Sequence, residues 1–365
     1  MNLFDLMPEK SLEDEVRSGY VRASAHPDLN LRVLCYTEKA VFEQRWNAVT
    51  TQCRGLVIDD TNWVVARCLP KFFNAQEHVA GRAYAEPLPM GQPLQVFRKV
   101  DGSLGNVFWY DGKWRVTTKG GFQSDQARWA QRWLDNADLT NLPQEHTYVT
   151  EIIYPENRIV VDNGNLRTLT LLAVIGPDGV ERSLQQYGPA WERIGGTVVQ
   201  EFPQAKISRL MFFAQRNKTL TGADISGTEG EGYVVRFSTG LRVKVKFTDY
   251  VRLHGIITGL SDKKVWELLR EGRSLDSLFA SLPDEYHDWV LDVADDLRHS
   301  FVTQAWETLH DLNRFATNPN RSDFTRRIQQ SEQKKEIARL YNVLADLTWD
   351  AVKPAGNRAW KDVQQ

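Results

Sequence analysis

The sequence predicts an α+β chain, with a mainly antiparallel domain over residues 1–258 and an all-helical domain over 259–365. Three observations carry this reading. Of the 24 glycines, only Gly272 and Gly356 lie beyond residue 260. The earlier part is written in short alternating or apolar runs broken by turn residues, such as LRVLCYT, RGLVID, WVVARCL and LQVFRKV. The later part spaces its apolar residues helically, as in SDKKVWELLREG and DEYHDWVLDVADDLRHSFVTQAWETLHDLNRFA.

In chain order, NVFWYDGKWRVTTKG sets Asp111-Gly112 between two β-rich runs, the signature of a tight hairpin. QSDQARWAQRWLDNAD then reads as a helix, with Ser124 supplying the N-cap oxygen. Strand-like runs resume in TYVTEIIY, NRIVV, LTLLAVIG and EGYVVRFSTGLRVKVKF. Ser261 and Ser322 are the N-cap candidates of the helical part. No internal repeat or low-complexity segment interrupts this order.

At 42% hydrophobic and 25% charged residues, the composition is that of a soluble globular protein. No run approaches the roughly 18 apolar residues of a membrane span, and the opening MNLFDLMPEK lacks the apolar core of a signal peptide. Three widely spaced cysteines (Cys35, Cys53, Cys68) form neither a disulfide framework nor a zinc site, so the expected compartment is the reducing cytoplasm. The net charge of −2 gives no global attraction for nucleic acid, and any such footprint must be a local patch.

Several polar residues sit where sheet periodicity makes them informative. FRKVDGSLG ends a strand at Lys99 and turns within three residues, through Asp101 and Gly102. In LRVKVKF, alternation puts Arg242, Lys244 and Lys246 on one strand face. That face suits solvent, and it equally suits a multiply charged anion that would relieve the mutual repulsion. Glu231 stands between Gly230 and Gly232, and Glu229 is a second candidate on the same face. Glu151 lies in the apolar run TYVTEIIY, where a carboxylate either faces water at a sheet edge or is paired in the interior. Arg54 in TQCRGLVID, Lys71 and Phe73 in PKFFN, and Lys119 in TTKGGF complete the set.

Taken in order, KVDGS (99–103), the acidic strand at Glu151, EGYV (231–234) and KVK (244–246) resemble motifs of the covalent nucleotidyltransferase superfamily, the ATP-dependent ligases and RNA capping enzymes. CRGLVID, KFFN, TTKGG and KFTDYVRLH narrow the resemblance to the phage-type RNA ligase 1 family, associated with tRNA repair, over about residues 30 to 255. The resemblance implies an N-terminal nucleotidyltransferase (adenylylation) domain in which Lys99 is the nucleophile that takes AMP. Catalysis would then involve Lys244, Lys246, Glu231, Arg54 and Lys119. ATP contacts would come from Arg54, Lys71, Phe73, Lys99, Gly102, Glu151, Glu231, Gly232, Lys244, Lys246 and Tyr250, and metal contacts from Glu151 and Glu231.

This resemblance implies ATP and Mg²⁺ as cofactors, with Mn²⁺ as the alternative ion. It also implies RNA with 5′-phosphate and 3′-hydroxyl ends as substrate, broken tRNA among the candidates, and host cytoplasm as the location for a phage-encoded protein. The lysine must lose its proton to attack, and Lys244, Lys246 and Arg54 nearby would favour the neutral amine. Gly102 would permit a tight turn and Asp101 would orient it through backbone hydrogen bonds. LTLLAVIG offers no aromatic residue to stack on adenine.

Residues 259–365 lack the short strands of an OB-fold, which the DNA ligases and capping enzymes usually add. A helical domain in the family is linked with tRNA recognition, and the basic stretch RSDFTRRIQQSEQKK suits one face toward RNA or a solvated helix surface. No kinase P-loop is present, so end preparation would fall to a separate kinase/phosphatase. The alternatives are a DNA ligase or capping-type nucleotidyltransferase, or a catalytically silent RNA-binding protein of the same fold.

Overall fold

The computed structural model describes residues 1–92, 94–257, 259–282, 286–316, 348–350 and 352–354. The chain divides into two units, Met1–His254 and Gly255–Gln365. The basic stretch at 321–335 and the candidate cap Ser322 lie outside the described residues.

The strands, in chain order, are β1 (Val21–Ala25), β2 (Leu31–Tyr36), β3 (Arg54–Asp59), β4 (Val64–Ala66), β5 (Phe73–Asn74), β6 (Leu94–Lys99), β7 (Ser103–Tyr110) and β8 (Lys113–Thr118). They continue with β9 (Thr147–Ile153), β10 (Thr168–Ile175), β11 (Glu181–Arg182), β12 (Thr197–Val198), β13 (Glu201–Phe202), β14 (Gly232–Phe237) and β15 (Arg242–Lys246). Helices α1 (Glu9–Arg17), α2 (Glu38–Phe42), α3 (Ala75–Val79), α4 (Asp125–Asp135), α5 (Leu184–Arg193), α6 (Ile207–Ala214) and α7 (Thr248–Ile257) punctuate them. Strands β1 to β4 pair in sequence order as one sheet. A second sheet runs β11-β10-β9-β7-β8 with β12 beside β10, and a third runs β13-β6-β14-β15-β5. Pairing is antiparallel except where β12 meets β10 and β5 meets β15, so the α+β, mainly antiparallel class holds.

Local chemistry explains the joints. Asp111 (φ 52°) and Gly112 (φ 70°) both take left-handed backbone, the two-residue turn whose twist matches the β7–β8 hairpin. Ser124 caps α4 by accepting from the Ala127 N–H at 3.1 Å. The amphipathic helices α4 and α5 bury their apolar stripes on the second sheet, where Trp191 stacks on Tyr148 with ring centroids 5.4 Å apart. The Trp191 indole donates to the Leu169 carbonyl at 2.9 Å, which satisfies the one polar atom the ring carries into this core.

The second unit is helical in its described part: α8 (Asp262–Arg270), α9 (Asp276–Ser281) and α10 (His287–Ala316). Ser261 caps α8 through the Lys264 N–H at 3.2 Å. Val265, Trp266 and Leu268 face inward, and the Trp266 indole donates to the Trp349 carbonyl at 2.7 Å.

Trp191→Ala removes a fully buried ring, two stacked neighbours and a satisfied hydrogen bond. It should cost about 3–5 kcal/mol in urea unfolding followed by tryptophan-independent circular dichroism. A loss below about 1 kcal/mol would contradict this placement of the core.

Candidate active site

Strand β6 ends at Lys99, and antiparallel pairing sets Gly232 of β14 directly opposite it. On its other side Gly232 faces Lys246 of β15. Glu231, immediately before this row, brings its carboxylate 2.7 Å from the Lys99 amine and 3.9 Å from the Lys246 amine. Gly232 is required here twice over: its φ is +145°, and a Cβ would collide with the Val245 carbonyl. Glu231 is only 4% exposed, and burial raises its pKa against the opposing pull of Lys99 and Lys246. The sequence led us to expect cations as the immediate company of the Lys99 amine. The structure instead gives it a carboxylate, because the β6–β14 register sets Glu231 closest to the strand end.

Two further expectations change with the geometry. Asp101 does not bond its own turn. Its carboxylate accepts the Val160 and Val161 backbone N–H groups at 2.9 and 2.7 Å, and the Tyr250 hydroxyl at 2.8 Å. Tyr250 is therefore buried, 149 residues from Asp101 in sequence, and supports the segment carrying Lys99 from below. Gly102 does not take left-handed backbone. Glycine is needed there because a Cβ would lie 2.7 Å from the Ile152 carbonyl and 3.0 Å from the Glu151 side chain.

Glu151 sits on β9, paired on one side with Leu104 of β7 and on the other with Thr170 of β10. The strand is interior, which removes the sheet-edge reading. Burial pushes the Glu151 pKa up to about 8, with Lys99 pulling it down and Glu231 pushing it further up. Glu229 lies before β14 begins, and its carboxylate accepts from the Ser226 backbone and hydroxyl at 2.8 and 2.9 Å. It therefore stands in a turn, off the strand face expected for it.

Lys99, Glu151 and Arg54 line a narrow cleft of about 70 Å³. Its apolar walls are Leu69, Phe72, Leu104, Leu172, Val199 and Val234. Phe72, rather than the expected Phe73, faces this space. Adjacent residues on an extended segment point to opposite sides, and Phe73 is buried against Trp46 and Tyr84. Arg54 and Lys244 lie over the Phe72 ring at 5.5 and 5.8 Å. Arg242 also reaches the cleft, but the Glu181 carboxylate holds it through two contacts of 2.5 Å.

A second group of cations gathers on aromatic faces. Lys119 lies 4.6 Å over Tyr36, and Lys71 lies 4.9 Å over Trp46 and 5.4 Å over Phe73. Burial would push the Tyr36 phenol up, but Lys119, Lys71 and Arg54 together more than reverse this and leave its pKa lowered. Gly55 (φ +79°) takes left-handed backbone, and a Cβ there would lie 2.9 Å from the Asn106 side-chain amide that donates to the Gly55 carbonyl.

Sequence reasoning missed Tyr36, Trp46, Phe72, Leu172, Val199 and Val234. A signal existed for Leu172: LTLLAVIG is apolar at every position but its threonine and final glycine, so both faces of that strand are covered. Val199 carries no such signal. Among the described residues, no three His, Cys, Asp or Glu side chains converge to hold a metal ion. Two carboxylates beside one cleft suit a hard cation that draws its remaining oxygens from a substrate's phosphates and from water.

Residues 52–250 match the model of a family described as RNA ligase, of the phage ligase 1 type. A 106-residue stretch is 31% identical to part of the bifunctional polynucleotide kinase/RNA ligase of Autographa californica nuclear polyhedrosis virus, covering 27% of this chain and 15% of that protein. Among solved structures, an archaeal ATP-dependent RNA ligase aligns with a TM-score of 0.45 at 14% identity, covering 79% of this chain and 76% of that one. An ATP-dependent DNA ligase from Aquifex aeolicus aligns with a TM-score of 0.48 at 15% identity, covering 77% and 69%.

Two outcomes follow from the geometry. Gly102→Ala should press β9 away from the Lys99 turn, lowering both thermal stability and any covalent labelling of Lys99; unchanged stability and labelling would contradict the close approach. For Glu151, the folded-state pKa of about 8 lies above the ordinary 4.5. Its contribution is complete below about pH 4.5 and is lost as pH rises through 8. Glu151→Gln should therefore melt above the wild type at pH 9, and this advantage should vanish below pH 4.5. An advantage independent of pH would contradict the assignment.

Proposed function

The chain belongs to the phage-type RNA ligase 1 family, and from that membership we propose that it joins 3′-hydroxyl and 5′-phosphate RNA ends through AMP carried on Lys99. The observation that carries this is the position of the Lys99 amine, at the edge of an apolar-walled cleft and 2.7 Å from a buried carboxylate of raised proton affinity.

In the first step the Lys99 amine attacks the α-phosphorus of ATP. A P–N bond forms, the bond to pyrophosphate breaks, and Glu231 Oε1 is placed to take the proton that the amine sheds. In the second, an oxygen of the RNA 5′-phosphate attacks the same phosphorus, the P–N bond breaks and Lys99 recovers a proton. In the third, the 3′-hydroxyl oxygen attacks the activated 5′-phosphorus, a phosphodiester P–O bond forms, the P–O bond to AMP breaks, and the hydroxyl proton passes to solvent.

The apolar walls at Leu172, Val199 and Val234 suit the faces of a purine, in place of the aromatic stack that LTLLAVIG does not supply. Arg54, Lys71, Lys119 and Lys244 are suited to the phosphates. Glu151 and Glu231 would hold Mg²⁺, or Mn²⁺, in company with the substrate's phosphates. Such an ion supplies charge neutralisation at the phosphates and the leaving pyrophosphate. Asp101 and Tyr250 act by positioning the Lys99 turn. The helical second unit favours RNA joining over the DNA-ligase and capping alternatives, and we assign it a part in recognising broken tRNA.

The test is incubation with ATP labelled at the α-phosphate, followed by joining assays on nicked anticodon stem-loops, linear RNA and nicked DNA. Wild-type protein should carry acid-labile label, Lys99→Ala should carry none, and RNA should be sealed in preference to DNA. Absence of label on the wild type, or its persistence in Lys99→Ala, would overturn the mechanism.

A further inference from the structure

Between Glu201 and Asp224 the chain has no acidic residue and four cations, Lys206, Arg209, Arg216 and Lys218. This stretch contains α6, whose inner face buries Ile207, Leu210 and Ala214. Its outer face leaves Phe212 50% exposed, with the Arg216 guanidinium 3.7 Å from the ring centroid. Beside it, Arg209 lies 5.2 Å over Phe213, and the two phenylalanine rings meet edge to face at 5.8 Å. Lys218 is paired with Asp224. Arg209 and Arg216 have no carboxylate within ion-pair distance among the described residues, and their hydrogen bonds go to the backbone carbonyls of Leu220 and Phe212.

We infer that this face of α6 is a platform for single-stranded RNA next to the end being joined, an inference that rests on the proposed ligase reading. An exposed aromatic ring with an unneutralised guanidinium stacked on it offers both contacts that single strands take, a π-face for a base and a positive charge for the backbone. Its place in the fold fits that task. The Leu220 N–H donates to the hydroxyl of Tyr233, the residue after Gly232, at 3.2 Å, and the Asp249 N–H donates to Asn217 at 2.7 Å. The turn that follows the helix is thereby tied to β14, which starts just after Glu231, and to α7, which starts just after Lys246 and Phe247. A chain of net charge −2 has no general attraction for RNA, so an acid-free stretch of this kind is where local attraction would arise.

The test uses the full chain and a short 5′-phosphorylated single-stranded RNA, with affinity read by fluorescence anisotropy across a salt series. Lysyl-AMP formation and thermal unfolding are measured in parallel. Arg209→Gln/Arg216→Gln should weaken binding and make the salt slope shallower by about 1.4. Phe212→Ala should weaken binding at least about fivefold, and Phe212→Trp should restore it. All three variants should keep wild-type lysyl-AMP formation and melting temperature. Unchanged RNA affinity and salt slope in both the arginine and Phe212→Ala variants would overturn the platform and leave the face to a protein partner. Failure of the wild type to form lysyl-AMP would count against the ligase reading alone, since binding does not require the nucleotide and still decides the platform.

Discussion

The cleft depends on one constraint of register: Gly232 must lie between Lys99 and Lys246. Strand β6 meets the β14–β15 hairpin, far downstream in sequence, in that row, and antiparallel pairing on both sides of β14 fixes which residues face each other. A slip of one residue would turn Lys99 and Lys246 to the opposite face of the sheet. With the row in place, the Glu231 carboxylate falls within reach of both amines, which oppose the effect of its burial without cancelling it. Gly232 permits this because its own backbone takes a conformation that a side chain would resist, pressed against the Val245 carbonyl. The row therefore sets both the nucleophile's position and the charge beside it.

A second constraint keeps the row steady. Asp101, two residues past Lys99, is held by two backbone N–H groups and one phenol, and these four groups come from three separate segments. Hydrogen bonds to a buried carboxylate are among the stronger ones, and all of these act on the turn rather than on the cleft. Gly102 then lets that turn lie directly on β9, which brings Glu151 into the electrostatic reach of Lys99. The nucleophile is thus fixed from beneath by groups that leave the open side of the cleft clear.

Much of this was legible in the sequence where the signal is local. The Asp111-Gly112 hairpin, the Ser124 and Ser261 caps, and the change to helical spacing after residue 260 each rest on chemistry within a few residues. Lys99 at the end of a strand and Glu151 in an apolar run were visible for the same reason. What the sequence did not show are choices made between distant segments. Arg242 alternates with Lys244 and Lys246, yet its charge is taken up by Glu181, 61 residues away. Phe72 and Phe73 are indistinguishable as neighbours, and only the packing of Trp46 and Tyr84 decides which one is buried. Tyr250 stands where a nucleotide contact was expected, and its hydroxyl is committed to Asp101. Strand periodicity assigns a face; it does not say what covers that face.

The cations of this region are held by two different kinds of contact. Around Lys99 and Lys246 the cations are met by a carboxylate, which can exchange a proton with an amine. Arg54 and Lys119 have no carboxylate in ion-pair contact among the described residues, and are seated instead on Phe72 and Tyr36. An aromatic face attracts a cation by about 0.5–2 kcal/mol without cancelling its charge. A carboxylate in the same place would hold the cation more strongly and would also repel an incoming phosphate. The lowered pKa of Tyr36 records the positive field that results. Seating like charges on rings keeps them close together and oriented while leaving the field in place, an arrangement that favours a polyanion beside the rings and proton exchange beside Glu231.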